Sequence, residues 1–283
     1  MKKRGELTTQ QIVVLVVLIA SFAVLLYFIL NLNLGKETDA EICHNSVVTR
    51  GSSSLLSESF PLKCQRQYVC FTKDGSCESM TNPELVKVKT EDDVYKNLAD
   101  EMADCWWMFG EGKINYVGSD LIPQNYCSIC DQVSFDDSVQ EIFGSSTFDK
   151  KNFYEYLENT EKSDGTSYLD YFGLKGFSGY SGNFGTVSLA KQHYIAMSIT
   201  SDVNKWGWAG IVAGTLAVAP MTGGLSAVVV GAIFVKEYAD SDGVVVAPVI
   251  QSLNGQQYLP PYLVEVNSEE FDFLNCNSIT TLS

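Results

Sequence analysis

The cysteines are the residues of this sequence with the most obvious chemistry, because a thiol can form a disulfide, bind a metal or exchange electrons. Eight are present, and an even number of cysteines in an oxidising compartment favours up to four disulfides. Too many complete pairings exist for the sequence to choose among them. The disulfide candidates are Cys43, Cys64, Cys70, Cys77, Cys105, Cys127, Cys130 and Cys276.

The motif Cys127-Ser128-Ile129-Cys130 offers different chemistry, as a redox pair or as half of a metal site. Pro123-Gln124-Asn125 before it and Asp131 after it favour a loop. The sequence contains no second C-x-x-C, and its two histidines, His44 and His193, are too few to complete a standard zinc site. We interpret His193 as a satisfied structural residue, predict no metal or other cofactor, and keep a thiol-disulfide oxidoreductase as an alternative function.

Paired carboxylates are a second source of chemistry, and Asp136, Asp137 and Glu141 lie close together in the sequence. Apolar residues such as Val139 and Phe143 recur between them at helical spacing, which favours a solvated helix face over an acid-base pair. The chain carries no Ser-His-Asp pattern, His-Glu-x-x-His motif or phosphate loop. The sequence therefore predicts a protein that is not an enzyme.

The composition of the chain excludes further functional classes. A formal net charge of −15 disfavours nucleic-acid binding, which needs clustered Lys and Arg to neutralise phosphates. Hydrophobic residues make up 46% of the chain, which is enough for a sizeable core and argues against global disorder. No nucleic-acid partner is expected.

The N-terminal region has the pattern of a membrane anchor. An apolar run of roughly 19 residues, from Ile12 to Leu30, could form about 28 Å of helix. Lys2, Lys3 and Arg4 precede the run and are expected to remain cytoplasmic. The pattern predicts a single transmembrane helix in the lipid bilayer, with the bulk of the chain on the extracytoplasmic side of the cell membrane.

The residues just before this run carry a resemblance to a known family. Arg4-Gly5-Glu6-Leu7-Thr8 resembles the processing site of type IV prepilin-like and archaeal class III signal proteins. The resemblance implies that a peptidase cuts after Gly5 and that the mature protein begins at Glu6. The whole chain is also similar to uncharacterised archaeal proteins with this anchor and a cysteine-rich outer domain, which have no known function.

A second apolar segment, residues 206–235, contains no charged residue and is interrupted by Pro220 and two glycines. It is too long for one bilayer-spanning helix, and each half is too short to span, so an apolar helical hairpin is predicted. Small residues on the facing sides would let the two backbones approach closely. The proposed packing positions are Gly210, Gly214, Ala227 and Gly231.

Local patterns outside these segments predict an α+β outer region. Thr90 is typical of a helix start, and apolar residues then recur at helical spacing up to a stop at Gly110. The β-prone run from Gln67 to Thr72 precedes Lys73-Asp74-Gly75, which predicts a small hairpin. The predicted regions are 1–35 (cytoplasmic tip and anchor), 36–90 (Cys-rich small β region), 91–205 (α+β outer domain), 206–236 (helical hairpin) and 237–283 (C-terminal strands and acidic tail).

These expectations lead to three functional hypotheses. The leading one is a membrane-anchored cell-surface protein with a structural, adhesive or partner-binding role. Its expected partners are other membrane or surface proteins, with self-association as a further option. The alternatives are a membrane-active protein that inserts residues 206–235 as a hairpin or pore, and an oxidoreductase that uses Cys127 and Cys130.

Overall fold

The computed structural model describes most of the chain N-terminal to residue 200 and selected segments beyond it. The chain divides into two compact units, Met1–Glu41 and Ile42–Ser283. The described residues are 9–31, 34–52, 60–117, 125–173, 184–200, 212–215, 219–220, 228–230, 232–234, 249–251, 257–272, 274, 276 and 278–280.

Helices and strands alternate irregularly along the chain. The helices are α1 (Thr9–Asn31), α2 (Leu34–Ser52), α3 (Glu91–Met108), α4 (Asp137–Phe143), α5 (Lys150–Asn159), α6 (Tyr168–Tyr171) and α7 (Glu269–Asp272). The strands are β1 (Gln67–Thr72), β2 (Glu84–Lys87), β3 (Asn125–Phe135), β4 (Thr147–Asp149), β5 (Thr186–Ser188), β6 (His193–Thr200), β7 (Val212–Thr215), β8 (Ala219–Pro220), β9 (Val228–Val230), β10 (Ala232–Phe234), β11 (Val249–Gln251), β12 (Gln257–Glu265) and β13 (Ser278–Thr280).

The first unit contains α1, whose apolar side chains from Ile12 to Ile19 are all exposed. Among the described residues, no helix has both the length and the apolar character that a membrane crossing requires. This finding contradicts the predicted transmembrane anchor.

The second unit is built on a mixed β-sheet, so the predicted α+β class is confirmed. Within the described residues the strand order is β2-β1-β3-β6-β12-β11-β9-β8, and β13 pairs with β3 beside β1. The pairs β1–β2, β1–β3 and β3–β13 are parallel. The pairs β3–β6, β6–β12, β12–β11, β11–β9 and β9–β8 are antiparallel. The sheet therefore joins segments from nearly the whole length of the second unit.

The predicted hairpin after Thr72 is wrong, because β1 and β2 are parallel. A tight two-residue turn can only join antiparallel strands, whereas parallel neighbours require the chain to cross back. The connection from Thr72 to Glu84 crosses back along the sheet in this way. The Cys70–Cys77 disulfide attaches it to β1. The turn at Gly75 is real, with φ of 96°, but it starts a crossover.

The predicted helical hairpin over residues 206–235 is also contradicted, because the described residues of this segment form strands. Strand β7 pairs with β10, and β9 pairs with β8 and β11. The valines of β9 have stiff, β-branched side chains that favour strands over helices. The sequence pattern around β9 could not reveal its pairing with β11, because β11 is distant in the sequence. Of the proposed packing positions, Gly214 lies in β7, while Gly210, Ala227 and Gly231 lie outside the described residues.

Helix α3 covers one face of the sheet, as the helical pattern after Thr90 predicts. The Thr90 side chain accepts a hydrogen bond from the Asp93 backbone N–H, and the Asp93 carboxylate accepts one from Thr90 in return. This capping box satisfies backbone donors that a helix start leaves unpaired. The hydrogen bond from the Lys89 backbone N–H, followed by those from Thr90, holds the pKa of Asp93 below its usual value. Trp106 on this helix is buried in the core, as expected, with 1% of its surface exposed.

Candidate functional site

The four disulfides of the described structure account for all eight cysteines, which confirms the disulfide prediction. Two of them close short stretches of chain, and two tie the central strand β3 to distant segments. The pairs are Cys43–Cys64, Cys70–Cys77, Cys105–Cys130 and Cys127–Cys276.

The C-x-x-C motif lies in β3 and not in a loop, and its two cysteines bond to different partners. The pairing of β3 with β6 shifts register between Ile129 and Asp131, so the alternation of faces along β3 changes at the motif. Cys130 meets Cys105 of α3 on one face, and Cys127 meets Cys276 on the other. A disulfide between Cys127 and Cys130 would require β3 to be dismantled at its centre.

The two faces of the sheet differ in how they are covered. The face that carries Val133 and Phe135 is covered by α3 and the neighbouring helices, and we call it the helix-covered face. Phe135 packs edge-on against Phe148, which packs against Tyr95 of α3. The opposite face is covered around Ile129 by a buried cluster that includes Leu274, but it is accessible at Tyr68, which is 41% exposed and lies beside Gln132 of β3. We call the accessible part around Tyr68 and Gln132 the open face.

A row of side chains crosses three strands on the open face. Tyr68 of β1 lies opposite Gln132 of β3, which lies opposite Tyr194 of β6. The guanidinium carbon of Arg66 is 5.0 Å from the Tyr68 ring centroid and 5.8 Å from that of Tyr194. The cation therefore lies between two aromatic rings contributed by strands that flank β3. We call Arg66, Tyr68, Gln132, Gln192 and Tyr194 the open strip.

Hydrogen bonds orient the polar groups of the open strip. The Nη2 of Arg66 donates a hydrogen bond to the Tyr68 hydroxyl at 2.6 Å. The Gln132 amide donates to the Gln192 side chain at 2.5 Å, and the Gln192 amide donates to the Ser79 carbonyl at 2.8 Å. These bonds link the strip to the loop that follows β1 and limit the number of conformations its side chains can adopt.

Both borders of the open strip are fastened to the sheet by disulfides. On one side, Cys70–Cys77 holds the loop that contains Ser79, whose hydroxyl donates to Ser134 of β3 at 2.9 Å. On the other side, Phe271 of α7 packs against Tyr194 at 5.4 Å between ring centroids. The chain that follows α7 is tied to β3 by Cys127–Cys276, so cross-links hold the borders in place.

Arg66 is the charged group of the open strip, and none of its contacts within the described residues is with a carboxylate. Its Nε is buried and has no hydrogen-bond acceptor among those residues. The other described arginine, Arg50, donates to the Phe60 carbonyl and lies elsewhere in the fold. The Nε of Arg50 is also buried without an acceptor among the described residues, so the feature that distinguishes Arg66 is its place between the rings of Tyr68 and Tyr194.

The histidines have structural positions. His44 stacks on Trp107 with ring centroids 4.2 Å apart, and its Nδ1 is 2.7 Å from the Trp107 carbonyl oxygen. His193 lies on the helix-covered face with 3% of its surface exposed, and its Nδ1 has no hydrogen-bond partner in the described structure. Burial lowers its pKa to about 3, and the charge of Lys150 acts in the same direction. The ring is therefore neutral at physiological pH.

The acidic residues interpreted as a solvated helix face, Asp136, Asp137 and Glu141, have separate roles. The Asp136 side chain caps the start of α4 by accepting from the Ser138 N–H, and Glu141 forms an exposed ion pair with Lys73 at 2.8 Å. Asp137, in the first turn of α4, accepts from the Gln140 side chain at 3.0 Å. Within the described residues no group of three or more metal-ligating side chains could hold an ion. The possible processing site, Gly5 and Glu6, lies outside the described residues.

Sequence reasoning did not find the open strip. The alternation of Arg66 and Tyr68 on a β-prone run was visible, but their neighbours Gln132 and Tyr194 come from strands whose pairing is not local. Comparisons of this chain with protein-family models, with curated proteins and with solved structures found no match.

Proposed function

We propose that this protein is a non-enzymatic binding protein of the extracytoplasmic surface, and that it binds a partner protein through the open strip. The observation that carries the proposal is the Arg66 side chain between Tyr68 and Tyr194, on a sheet face whose borders are cross-linked. Arginine and tyrosine are enriched at the centres of protein interfaces, where a few residues supply most of the binding energy.

The disulfides support the outer location. Disulfides form and persist in oxidising compartments and are rare where thiols are kept reduced, so four of them are compatible with an extracellular setting. They also support a binding role, because a surface that is rigid before association loses less conformational entropy when a partner docks. The polar groups of the open strip lie on or next to β1, β3 and β6, and disulfides attach β1 and β3 to other segments of the chain.

The alternative functions are less well supported by the geometry. An oxidoreductase needs two cysteines that can bond to each other, and Cys127 and Cys130 face opposite sides of the sheet. The membrane-active alternative depends on a helical hairpin, and the described part of residues 206–235 forms strands. Neither is proposed further.

Site-specific photo-crosslinking in intact cells tests the proposal. We expect a photoreactive residue at Gln132, in the middle of the open strip, to form a discrete crosslinked species with a partner protein. The matched control replaces Glu155, an exposed residue of α5 among the helices that cover the opposite face, and is expected to form none. A crosslinked species at Glu155 and none at Gln132 would contradict the assignment of the open strip.

A further inference from the structure

We propose that Arg66 binds a single carboxylate on an otherwise neutral segment of the partner protein, with Tyr68 and Tyr194 holding the guanidinium in position. This inference rests on the proposed function, because it names the chemistry by which the open strip recognises its partner. The juxtaposition that carries it is a guanidinium between two aromatic rings and with no carboxylate beside it in the described structure.

The unused donors of Arg66 define the ligand. A guanidinium carries five N–H donors in a planar fork and accepts no hydrogen bond. One Nη2 proton is used by the Tyr68 hydroxyl and the Nε is buried, so the donors left for an external ligand are those on the Nη atoms that no described hydrogen bond uses. A carboxylate that approaches in the plane of the fork can accept two parallel hydrogen bonds, and such charge-assisted pairs are among the strongest in proteins.

The two tyrosine rings prepare Arg66 for this contact. A free arginine side chain loses rotamer entropy when it is fixed, and that loss opposes binding when it occurs in the complex. Here the cation already lies near both rings, at 5.0 and 5.8 Å, and is tied to the Tyr68 hydroxyl. The ring faces stabilise its charge, while the edge of the fork is left for an acceptor.

The charge of the whole chain selects the class of anion. A polyphosphate or a nucleic acid requires several cations, and a chain with a net charge of −15 repels such polyanions at long range. One carboxylate within an otherwise neutral peptide requires one guanidinium and experiences less of this repulsion. The Gln132 and Gln192 amides beside Arg66 match the hydrogen-bonding groups of a peptide backbone.

The test observes Arg66 directly by NMR. The chain contains three arginines, Arg4, Arg50 and Arg66, so the Nε–Hε signals of the full-length protein can be assigned by substituting each in turn. The probe is an acetylated and amidated peptide with one glutamate among neutral residues. The matched control is the same peptide with glutamine at that position. We expect a saturable shift of the Arg66 signal with the glutamate peptide and at least tenfold weaker binding of the glutamine peptide.

Variants separate this site from general charge attraction. Arg66→Lys keeps the charge but loses the planar fork, and we expect about tenfold weaker binding of the glutamate peptide. Arg50→Lys is the matched control and is expected to bind as the unsubstituted protein does. Equal binding of the two peptides, or an equal loss with Arg50→Lys, would overturn the inference. The comparison of the two peptides with the unsubstituted protein needs no variant to fold.

Three further outcomes separate the failure of this inference from the failure of the proposed function. A short acidic oligosaccharide that shifts the Arg66 signal, when the glutamate peptide does not, would overturn the assignment to a protein segment. Photo-crosslinking through Gln132 that persists unchanged with Arg66→Lys would overturn carboxylate recognition and leave partner binding by the open strip intact. If the protein with the photoreactive residue at position 132 and an intact Arg66 forms no crosslinked species, that result counts against the proposed function itself.

Discussion

Replacing Cys127 and Cys276 together by alanine is expected to lower the free energy of unfolding by about 5 kcal/mol. The two cysteines are 149 residues apart, so the disulfide closes a very long loop in the unfolded chain. In the chain-entropy description, a longer loop means a larger loss of unfolded-state entropy and a greater stabilisation of the fold. Urea unfolding followed by circular dichroism measures the change. The altered protein should also show a larger dependence of this free energy on urea, because its unfolded state is more expanded.

The Cys70–Cys77 disulfide supplies the matched control. It joins residues 7 apart, and the same relation gives a loss of about 2 kcal/mol when both are replaced by alanine. Equal losses for the two double replacements, or a larger loss for Cys70 and Cys77, would contradict the assigned connectivity of Cys127 and Cys276.

The protein is expected to lose stability as the pH falls from 6.5 to 4.5, because of His193. The pKa of this ring is about 3 in the folded protein and about 6.5 in an unfolded chain, so only the unfolded state takes up the proton in this range. Proton uptake by the unfolded state lowers the free energy of unfolding by about 1.4 kcal/mol per pH unit below 6.5. The stabilisation is fully present above pH 6.5, and roughly 2.5 kcal/mol is lost by pH 4.5.

The environment of His193 explains why it resists protonation. Lys150 lies near it from α5 and is paired with Glu270 of α7 at 3.0 Å, while Lys191 lies two residues away and pairs with Glu265. Phe135 packs against the ring from β3. Burial and the charges of Lys150 and Lys191 all lower the pKa of His193, and only a hydrogen bond with the Lys191 backbone raises it, so the neutral ring is favoured.

Two substitutions identify His193 as the source of the pH dependence. His193→Gln removes the titrating group and should flatten the dependence of unfolding free energy between pH 6.5 and 4.5. His44→Gln, at the other histidine, should leave that dependence in place. The carboxyl groups with lowered pKa values, such as Asp93 and Asp164, contribute only at lower pH, so they do not obscure the comparison. An unchanged slope in His193→Gln would contradict this account.

The sequence predicts correctly the features that depend on residues close together in the chain. The even cysteine count predicts disulfides because it depends on chemistry and not on fold. Helix α3 is predicted from Thr90 to Gly110 because a cap, an apolar period and a stop occur in one short window. The burial of Trp106 follows from its place in that period.

The features that the sequence misses depend on distant partners. Two residues separate Cys127 from Cys130, as in a redox motif. Pairing with β6 nevertheless makes their segment a strand. Residues 228–230 are paired with β11, some 20 residues further on, and this pairing makes them a strand where a helix was predicted. Arg66 and Tyr194 form one site only because β3 lies between their strands. No local window contains these contacts.

The most direct test of the account is thiol labelling in intact cells, followed by mass spectrometric mapping of the disulfides. Without reduction, no cysteine should react with a membrane-impermeant maleimide, because all eight are paired. After treatment with a membrane-impermeant reductant, the half-exposed Cys77 and Cys276 should be labelled first. The unreduced protein should yield crosslinked peptides for Cys43–Cys64, Cys70–Cys77, Cys105–Cys130 and Cys127–Cys276. A Cys127–Cys130 disulfide, or labelling only after the cells are permeabilised, would contradict a disulfide-stabilised binding protein at the cell surface.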